Sequence, residues 1–275
     1  INIFFDYIDK HSNYDSQDVV EICGGEGGVT KLSIRRRLST GRNFDLKHGI
    51  DLSRMKDQQC LLEYIDKHKP LFVIMSPPCT AFASWSHLNR EKFPEQHASQ
   101  LQMGIAVARI CAEVARRQTD QGRHFVLENP RGSEMFNLAT MRALWLIPAV
   151  RGIDFPQCAL GLQSPEGAPI LKWTTIWTSS AVVIDMFRGI KCECPGAHAK
   201  LEGRFQGVPR SKLSQVWPLE LYRRIVVAIE YHVHKSNANY FQHAYYKKKE
   251  DDGIVYDCPR VATDRSHTRN DEPPL

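Results

Sequence analysis

Leu71-Phe-Val-Ile-Met-Ser-Pro-Pro-Cys79, continuing as Thr80-Ala-Phe-Ala-Ser-Trp85, is the stretch on which the reading of this chain turns. Leu71 to Met75 is an apolar run of strand length, and Pro77-Pro78 cuts it off. Proline has no backbone N–H and fixes φ, so the pair ends the strand and holds the next residues in a rigid, extended turn. Cys79 is delivered at the carboxyl end of that strand. In open α/β sheets this is the edge where ligands bind, and a thiol placed there becomes a nucleophile if its surroundings favour the thiolate. The competing reading is a buried structural cysteine.

Working outward toward the amino end, Asp18-Val-Val-Glu-Ile-Cys-Gly-Gly-Glu-Gly-Gly28 reads as a strand running into a glycine-rich turn, with a helix over 29–38. Glycines permit positive φ and close approach of a ligand, and the helix N-terminus behind them offers N–H groups. Roughly 20 residues on, Asp45 and Asp51 stand where nucleotide-type folds hold ribose hydroxyls. Met55 to His68 has helical spacing and leads into the Leu71 strand. Beyond Trp85 the pattern predicts a polar loop over 86–94, then a long helix from about Glu95 to Arg117 with Leu101, Ile105, Ala108, Ala112 and Ala115 on one face. His124-Phe-Val-Leu-Glu-Asn-Pro130 is the next strand and stop, and a helix follows over 135–146.

This alternation predicts an α/β fold with a mostly parallel sheet and helices on both faces. From 147 to 210 Pro, Gly and Cys become frequent and helical periodicity disappears, which predicts a small irregular or β-rich lobe. Residues 211–235 return to helix, with Leu221, Ile225, Ala228 and Ile229 as an apolar stripe, and 236–275 read as a mobile tail or linker. The expected organisation is a catalytic domain over 1–146, the lobe over 147–210, and the returning helix. Residues 1–17 read as a lead-in helix or arm.

A chain of 275 residues can bury a full core. No apolar run approaches the roughly 20 residues of a membrane span, and Ile1-Asn-Ile-Phe-Phe is too short for a signal peptide. Eight cysteines, mostly inside strand-like or helix-like runs, do not resemble a secreted disulfide framework. The expected location is intracellular, nuclear if the source is eukaryotic. The missing initiator Met suggests a fragment or processed product. A formal charge of +5 allows a nucleic-acid partner without requiring one.

Three segments thus fall on one sheet edge: the glycine turn, Ser76-Pro-Pro-Cys79 and Glu128-Asn-Pro130. Here the sequence resembles the cytosine-C5 methyltransferases that use S-adenosylmethionine. That family's first motif is similar to Glu21-Ile-Cys-Gly-Gly-Glu-Gly-Gly28, its Pro-Pro-Cys nucleophile motif to Pro77-Pro-Cys-Thr-Ala-Phe-Ala83, and its Glu-Asn-Val motif to Glu128-Asn129 with Pro130 replacing valine. The resemblance covers about 18–146 and implies a class I methyltransferase, Rossmann-like fold. It implies cofactor contacts from Glu21, Cys23, Gly24, Gly25, Gly27, Gly28, Asp45, Asp51 and Pro77, and catalysis by Cys79 and Glu128. The implied partner is nucleic acid, DNA rather than RNA, touched by Ser84, Asn129, Arg131 and Lys172. Arg151, Lys191, Lys200, Arg204 and Arg210 are the lobe's further basic residues for a groove or backbone. A less close likeness is to methyltransferase-like domains of eukaryotic retroelements.

The chain departs from the family in places. The Gln-x-Arg-x-Arg segment is absent, since Phe155-Pro-Gln-Cys158 begins similarly without the arginines, and Lys172 or Thr174 would have to supply that contact. The Gly-Asn pair near the carboxyl end is also missing, although Gln215-Val-Trp-Pro218 resembles the family's final region. Ser-Pro-Pro also begins the tetrad of exocyclic-amino methyltransferases, and a non-catalytic module binding nucleic acid or cofactor is the reading from another class. Separately, Cys158, Cys192, Cys194 and His198 have the look of a structural zinc set, against buried thiols as the alternative.

Overall fold

The computed structural model describes residues 17–83 and 86–234, apart from the side chains of 87–89. The expectations for the lead-in arm before residue 17, for Ser84 and for the tail over 236–275 lie outside the described residues. Six strands form the principal sheet: β1 (Val19–Ile22), β2 (Thr40–Phe44), β3 (Phe72–Met75), β4 (His124–Pro130), β5 (Arg151–Pro156) and β6 (Trp173–Thr178), in the order β2-β1-β3-β4-β6-β5. The first four run parallel, and β6 lies antiparallel between β4 and β5. The sheet is the expected Rossmann-like, class I methyltransferase-type arrangement. Strand order reverses between β1 and β3, so a crevice opens outside their carboxyl ends.

The helices are α1 (Gly28–Arg35), α2 (Met55–His68), α3 (Ser86–Lys92), α4 (Pro94–Asp120), α5 (Ala139–Trp145), α6 (Ala181–Phe187), α7 (Arg210–Leu213) and α8 (Leu219–Val233). Successive strand residues point to opposite faces, and the core divides accordingly. Val20, Ile22, Val73, Met75, Phe125 and Leu127 meet Leu61 and Ile65 of α2 and the apolar side of α4. Val19, Phe72, Ile74, Val126 and Ile176 meet Val29 of α1, Val183 of α6 and the Leu221, Ile225, Ala228 and Ile229 stripe of α8. With both faces covered, the strands are apolar on both sides, which is why Phe72–Met75 reads as a continuous run rather than an alternation.

Four expectations need correction. Residues 86–92 are a helix, not a loop: they lack an apolar stripe but contain good helix formers, and Pro94 is the first residue of α4 rather than part of a loop. The helix expected over 135–146 is a 3₁₀ turn, Glu134–Asn137, followed by α5. Pro218 has no N–H to continue a helix, so the returning helix is broken into α7 and α8. The lobe expected from 147 does not begin there, because β5 and β6 extend the main sheet. The irregular part is the stretch after α6, whose only regular pieces before α7 are the two-residue strands β7 (Arg204–Phe205) and β8 (Val208–Pro209).

Candidate functional site

The register of the sheet brings the chemistry together. Met75 pairs with Leu127, so the chain leaves β3 toward Cys79 beside Glu128 on β4. Ser76 N–H donates to the Ile22 carbonyl at 3.1 Å, tying the Pro-Pro segment to the tip of β1. From the other side, the Asn129 Nδ2 donates to the Pro77 carbonyl at 2.9 Å. The amide therefore positions the cysteine turn, and Asn129 also lines the cavity described below. Its Oδ1 is buried without a partner. Beyond the cysteine, the N–H groups of Phe82 and Ala83 both return to the Cys79 carbonyl. The Phe82 ring packs on Gly104 of α4, where a Cβ would come within 2.9 Å of it. A side chain at 104 would push the turn off the helix.

Glu128 is buried, and its Oε1 accepts from Thr174 Oγ1 at 2.5 Å. Thr174 in turn accepts from Gln157 Nε2 at 2.9 Å. Gln157 lies in the 3₁₀ turn after β5 and Thr174 on β6, and together they hold the Glu128 carboxyl group. Lys172, one residue before β6, donates its ammonium to the Ser214 carbonyl at 3.1 Å. Burial pushes the Cys79 thiol up from its ordinary value; the Lys172 ammonium opposes this and the Glu128 charge adds to it. Cys79 is only partly buried and opens on a cavity of about 710 Å³. That cavity is lined by the glycine turn, Asp45, Asp51, Ser76 to Ala81, Glu128, Asn129 and Lys172. Three motifs far apart in sequence thus share one space, of a size that holds a small molecule.

The turn after β1 uses left-handed backbone at Cys23 (φ 54°), Gly25 (φ 55°) and Gly27 (φ 66°). The Gly25 N–H donates to Asp45 Oδ2 at 2.9 Å, so the carboxylate at the tip of β2 sits directly against the turn. Gly28 is required for a different reason. A Cβ there would lie 2.3 Å from the Tyr222 ring of α8, which closes over the turn. Asp51 is held by the Ser53 hydroxyl at 2.6 Å and by Arg54 at 3.0 Å, and these contacts keep its carboxyl below the usual range.

Glu21 lines the cavity and also serves the helix behind the turn. Its Oε2 accepts from the Thr30 N–H at 2.7 Å and from the Thr30 hydroxyl at 2.5 Å, and its Oε1 accepts weakly from the Val29 N–H at 3.4 Å. Gly27 at the N-cap has no side chain to serve α1, so the buried carboxylate of β1 caps it. Those helix N–H groups are therefore not open to a ligand. Cys23 lines the cavity too, and burial pushes its thiol well above the ordinary range.

Of the remaining expected contacts, the Arg131 guanidinium lies 4.0 Å from the Trp173 ring centroid, beside the cavity-lining Pro130. Arg210 is paired with Glu166 and Arg204 with the Gly207 carbonyl. Arg151 opens β5, which runs parallel to β4, so it stands at the amino edge of the sheet, opposite the cavity. That position removes it from the set of groove contacts. Residues that no local motif announced also line the cavity: Val208, Lys212, Leu213, Gln215, Trp217 and Tyr222. The resemblance of Gln215-Val-Trp-Pro218 to a family's final region was their sole trace in the sequence.

The metal-ligand candidates meet as well. The Cys158, Cys192 and Cys194 sulfurs and a ring nitrogen of His198 all lie within 4.8 Å of one another. No helix among the described residues is long and apolar enough to cross a membrane.

No family model matches the sequence, and no curated protein does. Among solved structures, the S. pombe Dnmt2 methyltransferase is similar to this chain, with 14% identity, 67% of this chain and 57% of that chain covered, and a TM-score of 0.37. The chain spans just over half the length of that structure. Its own strand order and register, given above, carry the fold assignment.

Proposed function

We propose that this chain is an S-adenosylmethionine-dependent methyltransferase acting on C5 of cytosine in a nucleic acid. The observation that carries the reading is the shared cavity: a partly buried thiol and a buried carboxyl group on adjacent strand tips, facing a glycine turn that ends against a carboxylate. The residues fit the cofactor. Gly25 and Gly27 present backbone in a conformation that side chains rarely adopt, Asp45 offers a carboxylate at the tip of β2, and Phe44, Ile50 and Leu52 supply an apolar wall. Asp45 and Asp51 would hold the nucleoside, and Pro77 would form the floor between cofactor and base.

When bound, the cofactor supplies an electrophilic sulfonium methyl group. Cytosine C5 is a poor nucleophile, so the chain must first push electrons into the ring. Cys79 as thiolate forms a bond to C6. Glu128 donates a proton to N3, or shares one with it, neutralising the charge that develops there. C5 of that adduct would take the methyl group, leaving the cofactor as a neutral thioether; water in the open cavity would accept the C5 proton as the sulfur–C6 bond breaks to return the thiolate, and N3 would give its proton back to Glu128, restoring the aromatic ring. Thr174 and Gln157 orient Glu128 for this task, and Asn129 fixes the turn that presents the sulfur. In a duplex the base would have to be flipped into the cavity.

The finer part of the reading, DNA rather than RNA, rests on the resemblance of the motifs. An oligonucleotide carrying 5-fluorocytosine, with cofactor, tests both levels. The native protein should form a covalent complex with the DNA version, and Cys79→Ser should form none. Trapping on RNA alone would move the substrate; failure on both polymers would overturn the enzyme reading in favour of a binding module. A methyl group found on an exocyclic nitrogen by nucleoside mass spectrometry would overturn C5 chemistry.

A further inference from the structure

The stretch from Ile190 to Glu202 has no helix or strand, and most of its side chains are exposed or half-buried. A segment that buries so little apolar surface cannot repay the entropy of being ordered. Yet the residues it leads into, Val208, Lys212 and Leu213, form part of the cavity wall. Few fixed backbone ties hold it; one is the Ala199 N–H to the Pro169 carbonyl at 2.8 Å. Something else must fasten it.

We propose that Cys158, Cys192, Cys194 and His198 bind one zinc ion, and that this ion clamps the 190–213 segment to the end of β5. A tetrahedral zinc with bonds of about 2.3 Å to sulfur and about 2.0 Å to nitrogen places its ligand atoms roughly 3.5 to 3.8 Å apart. Here the four ligand atoms fall within 4.8 Å of one another, and the Cys192 sulfur is 3.2 Å from the His198 Nε2, so all four surround one point. Three thiolates and one imidazole form a soft donor set suited to zinc and poor for magnesium or calcium. Binding releases the three thiol protons and leaves a closed four-ligand shell, which is the structural rather than the catalytic type of site.

The position of the site carries a consequence. Cys158 is buried in the 3₁₀ turn that follows β5, and its neighbour Gln157 is the residue that holds Thr174 and through it Glu128. One ion would therefore fasten the outer wall of the cavity and steady the support behind its carboxyl group. This inference does not depend on which reaction the cavity performs.

Elemental analysis of the purified full chain tests it. The native protein loaded with zinc should retain about one equivalent after desalting, Cys192→Ser below about a tenth, and Cys60→Ser, altered at an exposed position on α2, the full amount. Cobalt in place of zinc should give the visible bands of a tetrahedral thiolate site in the native chain and none in Cys192→Ser. Chelation should open Lys191, Lys200 and Arg204 to trypsin while the sheet stays resistant. A native chain that takes up no metal, or that carries a disulfide between any two of the three cysteines, would overturn the site. Tryptic cleavage unchanged by chelation would overturn the clamp.

Discussion

The two sides of the cavity are built by different means. The side made by residues 17–146 consists of strand tips and turns in a parallel sheet whose two faces are both covered, and every group there is placed by register: Glu128 by β4, Cys79 by the turn off β3, Asp45 by β2. The side made by 172 and 208–222 consists of a strand entrance, a two-residue strand, a one-turn helix and the start of α8, reaching the cavity by way of a stretch without regular structure. The lesson is that position costs little where a sheet already fixes it. Where chain must span open space without a core, cross-links take over, here the Lys172 contact with Ser214 and, under the zinc proposal above, the cysteine–histidine cluster.

The largest effect is expected on the ordered side. Glu128→Gln keeps the shape and a hydrogen-bond partner for Thr174 but removes the proton, and methyl transfer should fall by about 10²–10⁴-fold. Single-turnover rates would show it; a loss under tenfold would mean the carboxyl group takes no part in proton transfer.

Next comes the tie between the two strand tips. Asn129→Ala removes the donor to the buried Pro77 carbonyl, which should cost about 1–3 kcal/mol in unfolding free energy. A misplaced sulfur should also slow transfer by up to about 10²-fold. Denaturant unfolding and rates measured on the same sample would separate the two, and a variant as stable and as fast as the parent would show that register alone places the cysteine.

The smallest effect crosses the cavity. Because burial raises the Cys79 thiol and Lys172 opposes the rise, the thiolate fraction grows with pH and Lys172→Met should move its onset still higher. Alkylation of Cys79 followed by mass spectrometry across a pH series reads this directly. A profile that does not move would show the ammonium to be engaged with Ser214 alone, and the outer side to have no electrostatic hold on the nucleophile.

Much of the ordered side was legible in the amino-acid string because its signals are local. Phe72–Met75 followed by Pro77-Pro78 is a strand and a stop whatever surrounds it, and the span of α2 was readable from its apolar spacing alone. Short strands in a Thr-, Trp- and Pro-rich stretch carry no such period, so β5 and β6 looked like a separate lobe although they complete the sheet. The same locality showed only part of the role of Glu21, which lines the cavity as well. Its place in a glycine motif suggested a ligand contact, and only the fold showed that a helix capped by glycine takes the carboxylate for its own N–H groups.

By itself the sequence determined the alternation of elements, the left-handed turn after β1, and the delivery of a cysteine and a glutamate to strand ends, since each depends on residues within a few positions of one another. Tertiary structure decided what lies across from what. The Asn129–Pro77 bond joins residues 52 apart and the Thr174–Glu128 bond residues 46 apart. Tyr222 closes on Gly28 from the last helix, and four metal-ligand candidates meet from two separate segments. Such meetings follow from strand order and close packing, which are properties of the folded whole and leave no period or motif in the chain.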